Sequence, residues 1–159
     1  MSNYLRPVVP GGTSFFTIKL ENPDSRLLIE KVGLLRMAFR VACKHRPFRA
    51  DAIVVLPNHL HCLLSLPPGD SEYARRISHM KAVFARSIER GEDRCPSRIK
   101  RGERGIWQRR FWEHAIRDEA DFLAHANYIH ENPVKHGLAE TATDWRWSSI
   151  HRLQPPQIP

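Results

Sequence analysis

Hydrophobic and polar positions change period several times along the chain. Ser14 to Leu20, with Phe15, Phe16 and Ile18, reads as a strand after the turn signal Pro10-Gly11-Gly12. Asn22-Pro23-Asp24-Ser25 breaks that strand and offers caps to a helix from about Arg26 to Lys44, where Leu27, Leu28, Val32, Leu35, Phe39 and Ala42 keep the helical period. Phe48 to Leu56 predicts a second strand, β-branched near its end. Pro57-Asn58 is a tight turn signal, so His59 to Leu66 becomes a third strand in a hairpin with the second. Pro67-Pro68-Gly69-Asp70-Ser71 closes it and caps a helix from about Ser71 to Glu89, striped by Tyr73, Ile77, Met80, Phe84 and Ile88. A loop follows, then a fourth strand around Trp107 to Ile116. Asp118 caps a last helix through about Glu131, and Pro133 stops it.

The order is β-α-β-β-α-β-α. Its first six elements match the α+β, ferredoxin-like split βαβ arrangement with an antiparallel sheet, and the additional C-terminal helix carries Tyr128. Helices would cover one face of the sheet and leave the other free for chemistry. A single domain over residues 1–159 is expected, with its core at about 13–150 and a flexible Pro-rich tail at 151–159. Trp145 and Trp147 are expected to pack back on it. No apolar run approaches the ~20 residues needed to span a bilayer. The N-terminus lacks the apolar core of a secretory signal, so no membrane partner and a cytoplasmic location are expected. Cys43, Cys62 and Cys95 show no CxxC spacing, which argues against disulfides and a thiolate zinc site.

Lys and Arg number 25 against 17 Asp and Glu, a net charge of +8. Between Arg90 and Arg110 stand eight basic residues and only three acids, Glu92, Asp93 and Glu103. Trp107, Phe111 and Trp112 follow at once. Basic charge for phosphates beside aromatics for bases is the composition of a single-strand nucleic-acid site. The same aromatics would also serve as core residues.

The chemistry-bearing pattern is Pro57-Asn58-His59-Leu60-His61-Cys62-Leu63. On a strand, His59 and His61 project from one face while Leu60, Cys62 and Leu64 point the other way. Two imidazoles on one face can hold a divalent metal. His-x-His alone is weak, since core histidines give it too. A zinc hydrolase would need a third His or a carboxylate, and no HExxH is present. In the last helix, Tyr128 and Asn132 are one turn apart on one face, with Phe122, Leu123, Ala126 and Ile129 supplying the expected buried stripe. Singly, Tyr128 reads as a seam tyrosine and Asn132 as a helix terminator.

Together these features resemble the single-tyrosine HUH endonucleases, where U is a bulky hydrophobe, here Leu60. More narrowly they resemble the REP-associated tyrosine transposases. The stretches that carry the likeness are Gly11 to Thr17, Arg46-Pro47-Phe48, Val54 to Cys62, Arg101 to His114 and Tyr128 to Leu138. It extends from about Tyr4 to His151. The resemblance implies a divalent metal, Mg²⁺ or Mn²⁺, on His59, His61 and Asn132; broader transposase relatives more often have Gln at the last position. It implies that Tyr128 attacks a phosphodiester in single-stranded DNA, forms a 5′-phosphotyrosine link and releases a 3′-hydroxyl. The DNA implied is a REP-type hairpin with the cut in flanking single strand, and Arg98, Lys100, Arg101, Arg104, Arg109, Arg110 and Trp107 are the DNA-binding residues expected beside it. A monomer with Tyr128 acting in cis is expected, whereas insertion-sequence relatives are dimers. His130 and Lys135 lie near Tyr128 in sequence, as helpers or as surface residues. Two other classes stand against this reading: a domesticated hairpin-binding protein without cleavage, and a small-molecule metallohydrolase.

Overall fold

A computed structural model describes residues 11–91 and 94–153. Pro10 of the first turn signal, the start of the family likeness near Tyr4, Glu92 and Asp93 of the basic stretch, and the end from residue 154 lie outside these residues. The strands are β1 (Thr13–Lys19), β2 (Arg49–Val55), β3 (His59–Ser65) and β4 (Trp112–Ala115). The helices are α1 (Leu27–Glu30), α2 (Val32–His45), α3 (Tyr73–Ser87), α4 (Pro96–Lys100) and α5 (Glu119–Lys135), followed by 3₁₀ turns at Ala142–Asp144 and Ser149–Arg152. The sheet order is β2-β3-β1-β4 with every neighbouring pair antiparallel, as expected for the ferredoxin-like arrangement.

Alternation along β1 divides the molecule. Phe16 and Ile18 point to the side of α3, where Phe16 meets the Tyr73 ring at 5.2 Å, and α2 packs against α3. Phe15 and Thr17 point to the side of α5, where Phe15 lies 5.9 Å from the Tyr128 ring. The second face is therefore largely covered by α5, whereas the sequence reading left it free. Phe15, Leu63 and Val54 are all buried on it, and only its end around Lys19, His59 and Trp112 stays reachable. A strand covered on both faces must be apolar on both, which explains the near-continuous burial of β1 and β3.

Four element boundaries depart from the sequence reading. The first helix is split at Lys31, whose φ of −116° is not helical. The fourth strand is short, because Trp107 forms only an isolated bridge to Leu20 before the chain reaches Trp112. The basic stretch contains α4 rather than running as loop throughout. Helix α5 continues through Pro133 and ends two residues later. Its stop is Gly137, with φ +69°, after which Leu138 N–H donates to the Pro133 carbonyl at 2.8 Å and Gly137 N–H to the Val134 carbonyl at 3.0 Å. That is the Schellman arrangement, which needs a left-handed residue.

Trp145 and Trp147 do pack back. Trp145 Nε1 donates to the Val55 carbonyl at 2.8 Å, and Val55 N–H donates to the Trp147 carbonyl at 2.9 Å, which covers the edge of β2. The turn Ser149–Arg152 runs past residue 150, where the core was expected to end. No helix among the described residues is long and apolar enough to cross a membrane. Replacing Gly137 should test the helix stop. Nothing lies within 4 Å of an added Cβ, so Gly137→Ala meets only the backbone penalty. We expect it to lower unfolding stability by about 1 kcal/mol in urea denaturation.

Candidate active site

Register builds the site across three strands. Thr17 on β1 stands opposite His61 on β3 and opposite Trp112 on β4, and Lys19 stands opposite His59. The His59 and His61 rings therefore share one face, with centroids 4.9 Å apart. His61 is buried, and its Nδ1 is hydrogen-bonded to Thr17 Oγ1 at 2.8 Å. Asn58 Oδ1 accepts from His59 Nδ1 at 2.6 Å, and the Asn58 amide is held in turn by donating to the Pro23 carbonyl at 2.6 Å. Removal from water pushes both imidazoles down, His59 to about 4 and His61 to about 3, and the neighbouring histidines and Lys19 add to it. Both rings are neutral at pH 7, and donation from His59 Nδ1 to Asn58 leaves the His59 Nε2 lone pair available.

Helix α5 delivers the tyrosine. Asp118 caps its start by accepting from Asp121 N–H at 2.8 Å. The stripe turned to the sheet is Asp121, His125, Tyr128 and Asn132, spaced one turn apart. Asp121 meets His114 on β4, His125 meets Phe15 on β1, and Tyr128 meets His61 on β3. Leu123, expected in the buried stripe, is exposed instead, because this polar stripe takes the inward position. Tyr128 is 38% exposed, its ring 5.3 Å from that of His61, and Lys135 Nζ sits 5.0 Å from its ring centre. His130 turns away from the site to share a 3.0 Å hydrogen bond with Ser149 Oγ. The extra turn past Pro133 brings His136 to 5.3 Å from the His59 ring, a neighbour that sequence reasoning missed because it took Pro133 as the end.

Two polar groups here are conspicuous. His61 Nε2 and both amide atoms of Asn132 are buried without a hydrogen-bond partner. Buried polar atoms are rarely left so. An imidazole nitrogen and an amide oxygen are both competent metal donors. His61 also lines a cavity of about 610 Å³, together with Lys19, His59, Trp112, Tyr128 and His136.

Residues 28–132 match the family model described as "Transposase IS200 like". A REP-associated tyrosine transposase of Escherichia coli (strain K12) is 41% identical over 152 residues, covering 96% of this chain and 84% of that one. The chain belongs to this transposase family. A Haemophilus influenzae protein (strain ATCC 51907 / DSM 11121 / KW20 / Rd), provisionally named as a REP-associated tyrosine transposase, is 45% identical over 96% of this chain and 87% of its own. The solved structure of a REP-associated tyrosine transposase bound to a REP hairpin superposes with a TM-score of 0.83 at 40% identity, covering 100% of this chain and 92% of that one.

In this transposase a second histidine cluster anchors the tyrosine helix. His114, Asp121 and His125 place their ligand-type atoms within 4.8 Å of one another. Hydrogen bonds account for the cluster. His114 Nε2 lies 2.9 Å from Asp121 Oδ2, Arg117 N–H donates to the same oxygen at 2.9 Å, and His125 Nδ1 lies 2.8 Å from the Asp121 carbonyl. The two imidazoles stack at 4.7 Å. The cluster ties β4 to α5, one turn before Tyr128.

The basic stretch divides into inward and outward residues. Arg98, expected at the DNA, is buried in ion pairs with Glu21 and Glu103. Arg104 donates to the carbonyls of Ala85, Ile88 and Glu89 that end α3. Arg109 pairs with Glu103 at 2.9 Å. Trp107 is buried against Phe84, its Nε1 donating to the Lys81 carbonyl at 3.1 Å, so it is no stacking platform. These side chains satisfy carboxylates and carbonyls inside the fold, most of them on β1's exit and on α3 and its end. Lys100, Arg101 and Arg110 remain exposed, and so does Trp112.

The clamp predicts a pH signature. The Arg117 N–H and then His114 hold the Asp121 carboxyl at about 2, below its ordinary 3.8. A lowered folded-state value stabilises above the unfolded value and is lost as pH falls toward 2. Asp121→Asn should therefore lower Tm most near neutral pH, and its deficit against wild type should shrink between about pH 5 and pH 2.

Proposed function

We propose that this transposase cleaves and rejoins single-stranded DNA beside a REP-type hairpin, with Tyr128 as nucleophile and a divalent metal, Mg²⁺ or Mn²⁺, on His59, His61 and Asn132. The observation that carries the reading is Tyr128 standing 5.3 Å from the ring of a buried histidine whose Nε2 has no partner, with the partnerless Asn132 amide one helical turn on. The hairpin-bound structure of the relative supports the choice of DNA.

The residues divide the work. Asn58 Oδ1 keeps the His59 proton on Nδ1, and Thr17 engages His61 Nδ1, so both Nε2 atoms can serve as donors. Neutral imidazoles and an amide would leave a bound cation its full charge, which polarises a scissile phosphate and orients it for in-line attack. A phenol is a weak nucleophile without activation, and a cation held there would supply that activation to the attack by Tyr128. Its oxygen bonds to phosphorus and loses its proton, while the bond from phosphorus to the 3′-oxygen breaks and leaves a 3′-hydroxyl. Lys135 over the tyrosine ring and Lys19 at the cavity wall place positive charge beside the phosphate. One phosphodiester is exchanged for another, so a 3′-hydroxyl can attack the phosphotyrosine and reseal the strand. Lys100, Arg101 and Arg110 are among the exposed cations available to the hairpin backbone.

Two experiments test this. Incubation with a labelled REP-type hairpin carrying single-stranded flanks, plus Mg²⁺ or Mn²⁺, should give a covalent adduct on a denaturing gel. Tyr128→Phe and chelation should each abolish the adduct, and His61→Ala or Asn132→Ala should weaken Mn²⁺ binding at least ~10-fold. An adduct that survives Tyr128→Phe or chelation rules the reading out, and hairpin binding without any adduct favours a binding protein without cleavage. For the basic stretch, Lys100→Ala, Arg101→Ala and Arg110→Ala should each flatten the salt dependence of hairpin affinity by about one unit of slope, with stability unchanged within about 0.5 kcal/mol. Arg98→Ala should lower Tm instead.

A further inference from the structure

Trp112 is 61% exposed, although Thr17, its partner across the sheet, is buried. It projects from the edge strand β4 on the side occupied by α5. Beside it lies a cavity of about 430 Å³ walled by Phe15, Thr17, Trp112, Ala124, His125 and Tyr128. Four of these six are aromatic rings. Phe15 is buried, with its ring 4.9 Å from His125 and 5.9 Å from Tyr128. Thr17, Trp112 and Tyr128 also wall the larger cavity that holds His59 and His61. The two cavities therefore adjoin along Tyr128 and Trp112.

We propose that this aromatic slot receives one unstacked nucleobase of the single strand, adjacent to the phosphodiester presented to Tyr128. The proposal rests on Tyr128 being the nucleophile. A strand whose phosphate lies at the tyrosine must place the neighbouring nucleotide within reach of Trp112, because the two side chains share both cavities. Base-paired nucleotides are already stacked, whereas a single-stranded base has both faces free for an aromatic. The net charge of +8 suits a polyanion in this trough. Stacking on Trp112 accepts any base. His125 Nδ1 is engaged by Asp121, so Nε2 is the ring's remaining polar atom for a base edge. Trp112 is thus a positioning residue, setting how the strand enters the site.

The test uses Tyr128→Phe protein, so that binding is read without cleavage, and REP-type hairpins carrying 2-aminopurine at each position of the flanking strand. One position should show quenching on binding. Adding Trp112→Ala should abolish that quenching, and Trp112→Phe should retain it. With Tyr128 restored, an abasic site at that position and Trp112→Ala should each slow adduct formation about tenfold, and together no more than either alone. Should Trp112→Ala lower Tm, Trp112→Leu replaces it, keeping the volume and losing the ring. Quenching that persists in Trp112→Ala or Trp112→Leu, or effects that multiply, overturns the slot. Trp112-dependent quenching with no adduct from the wild-type chain supports the slot and overturns the Tyr128 reading instead.

Discussion

The antiparallel pairing of β1 between β3 and β4 is the constraint on which the rest of the molecule depends. It aligns Lys19 with His59, and Thr17 with both His61 and Trp112. Side chains on a strand alternate faces, so a slip of one residue would send Thr17 into the α3 side and Phe16 into the cleft. In the observed register, Phe16 and Ile18 complete the apolar core, and Phe15 floors the space beneath Tyr128. The hydrogen bond that sets the His61 ring, the exposure of Trp112 and the seat of the tyrosine all follow from one pairing.

Helix α5 turns that sheet into a site. Its polar stripe crosses β4, β1 and β3 in order, through Asp121 on His114, His125 on Phe15 and Tyr128 on His61. A stripe of this kind is costly to bury unless each group finds a partner. Asp121 does, through Arg117 and the two histidines. Asn132 and His61 Nε2 do not. The strongest anchor thus sits at one end of the helix and the unsatisfied donors at the other, with Tyr128 between them.

Charge is distributed by the same logic. His59 and His61 are neutral chiefly because they are desolvated, while Lys19 lines the cleft and Lys135 lies over the Tyr128 ring. Several arginines of the basic stretch are committed to internal carboxylates and carbonyls. The positive charge that reaches solvent there is smaller than the composition suggests. An aromatic next to that stretch faces the cleft, but it is Trp112 rather than Trp107.

The order of elements, the common face of His59 and His61, and the one-turn spacing of Tyr128 and Asn132 were legible in the sequence, because strand and helix periods are properties of the local backbone. The family likeness was legible too, in stretches such as Tyr128 to Leu138. Hydrophobic periodicity misassigned Leu123 because it assumes that the buried face of a helix is apolar, and here that face carries chemistry. Pro133 was read as a stop because a missing N–H is local information, whereas the Gly137 turn that ends the helix involves several residues at once. Which arginines are free, which tryptophan is exposed and where His136 falls depend on partners distant in sequence. Local periods carry no record of such partners, so the tertiary structure alone decided them.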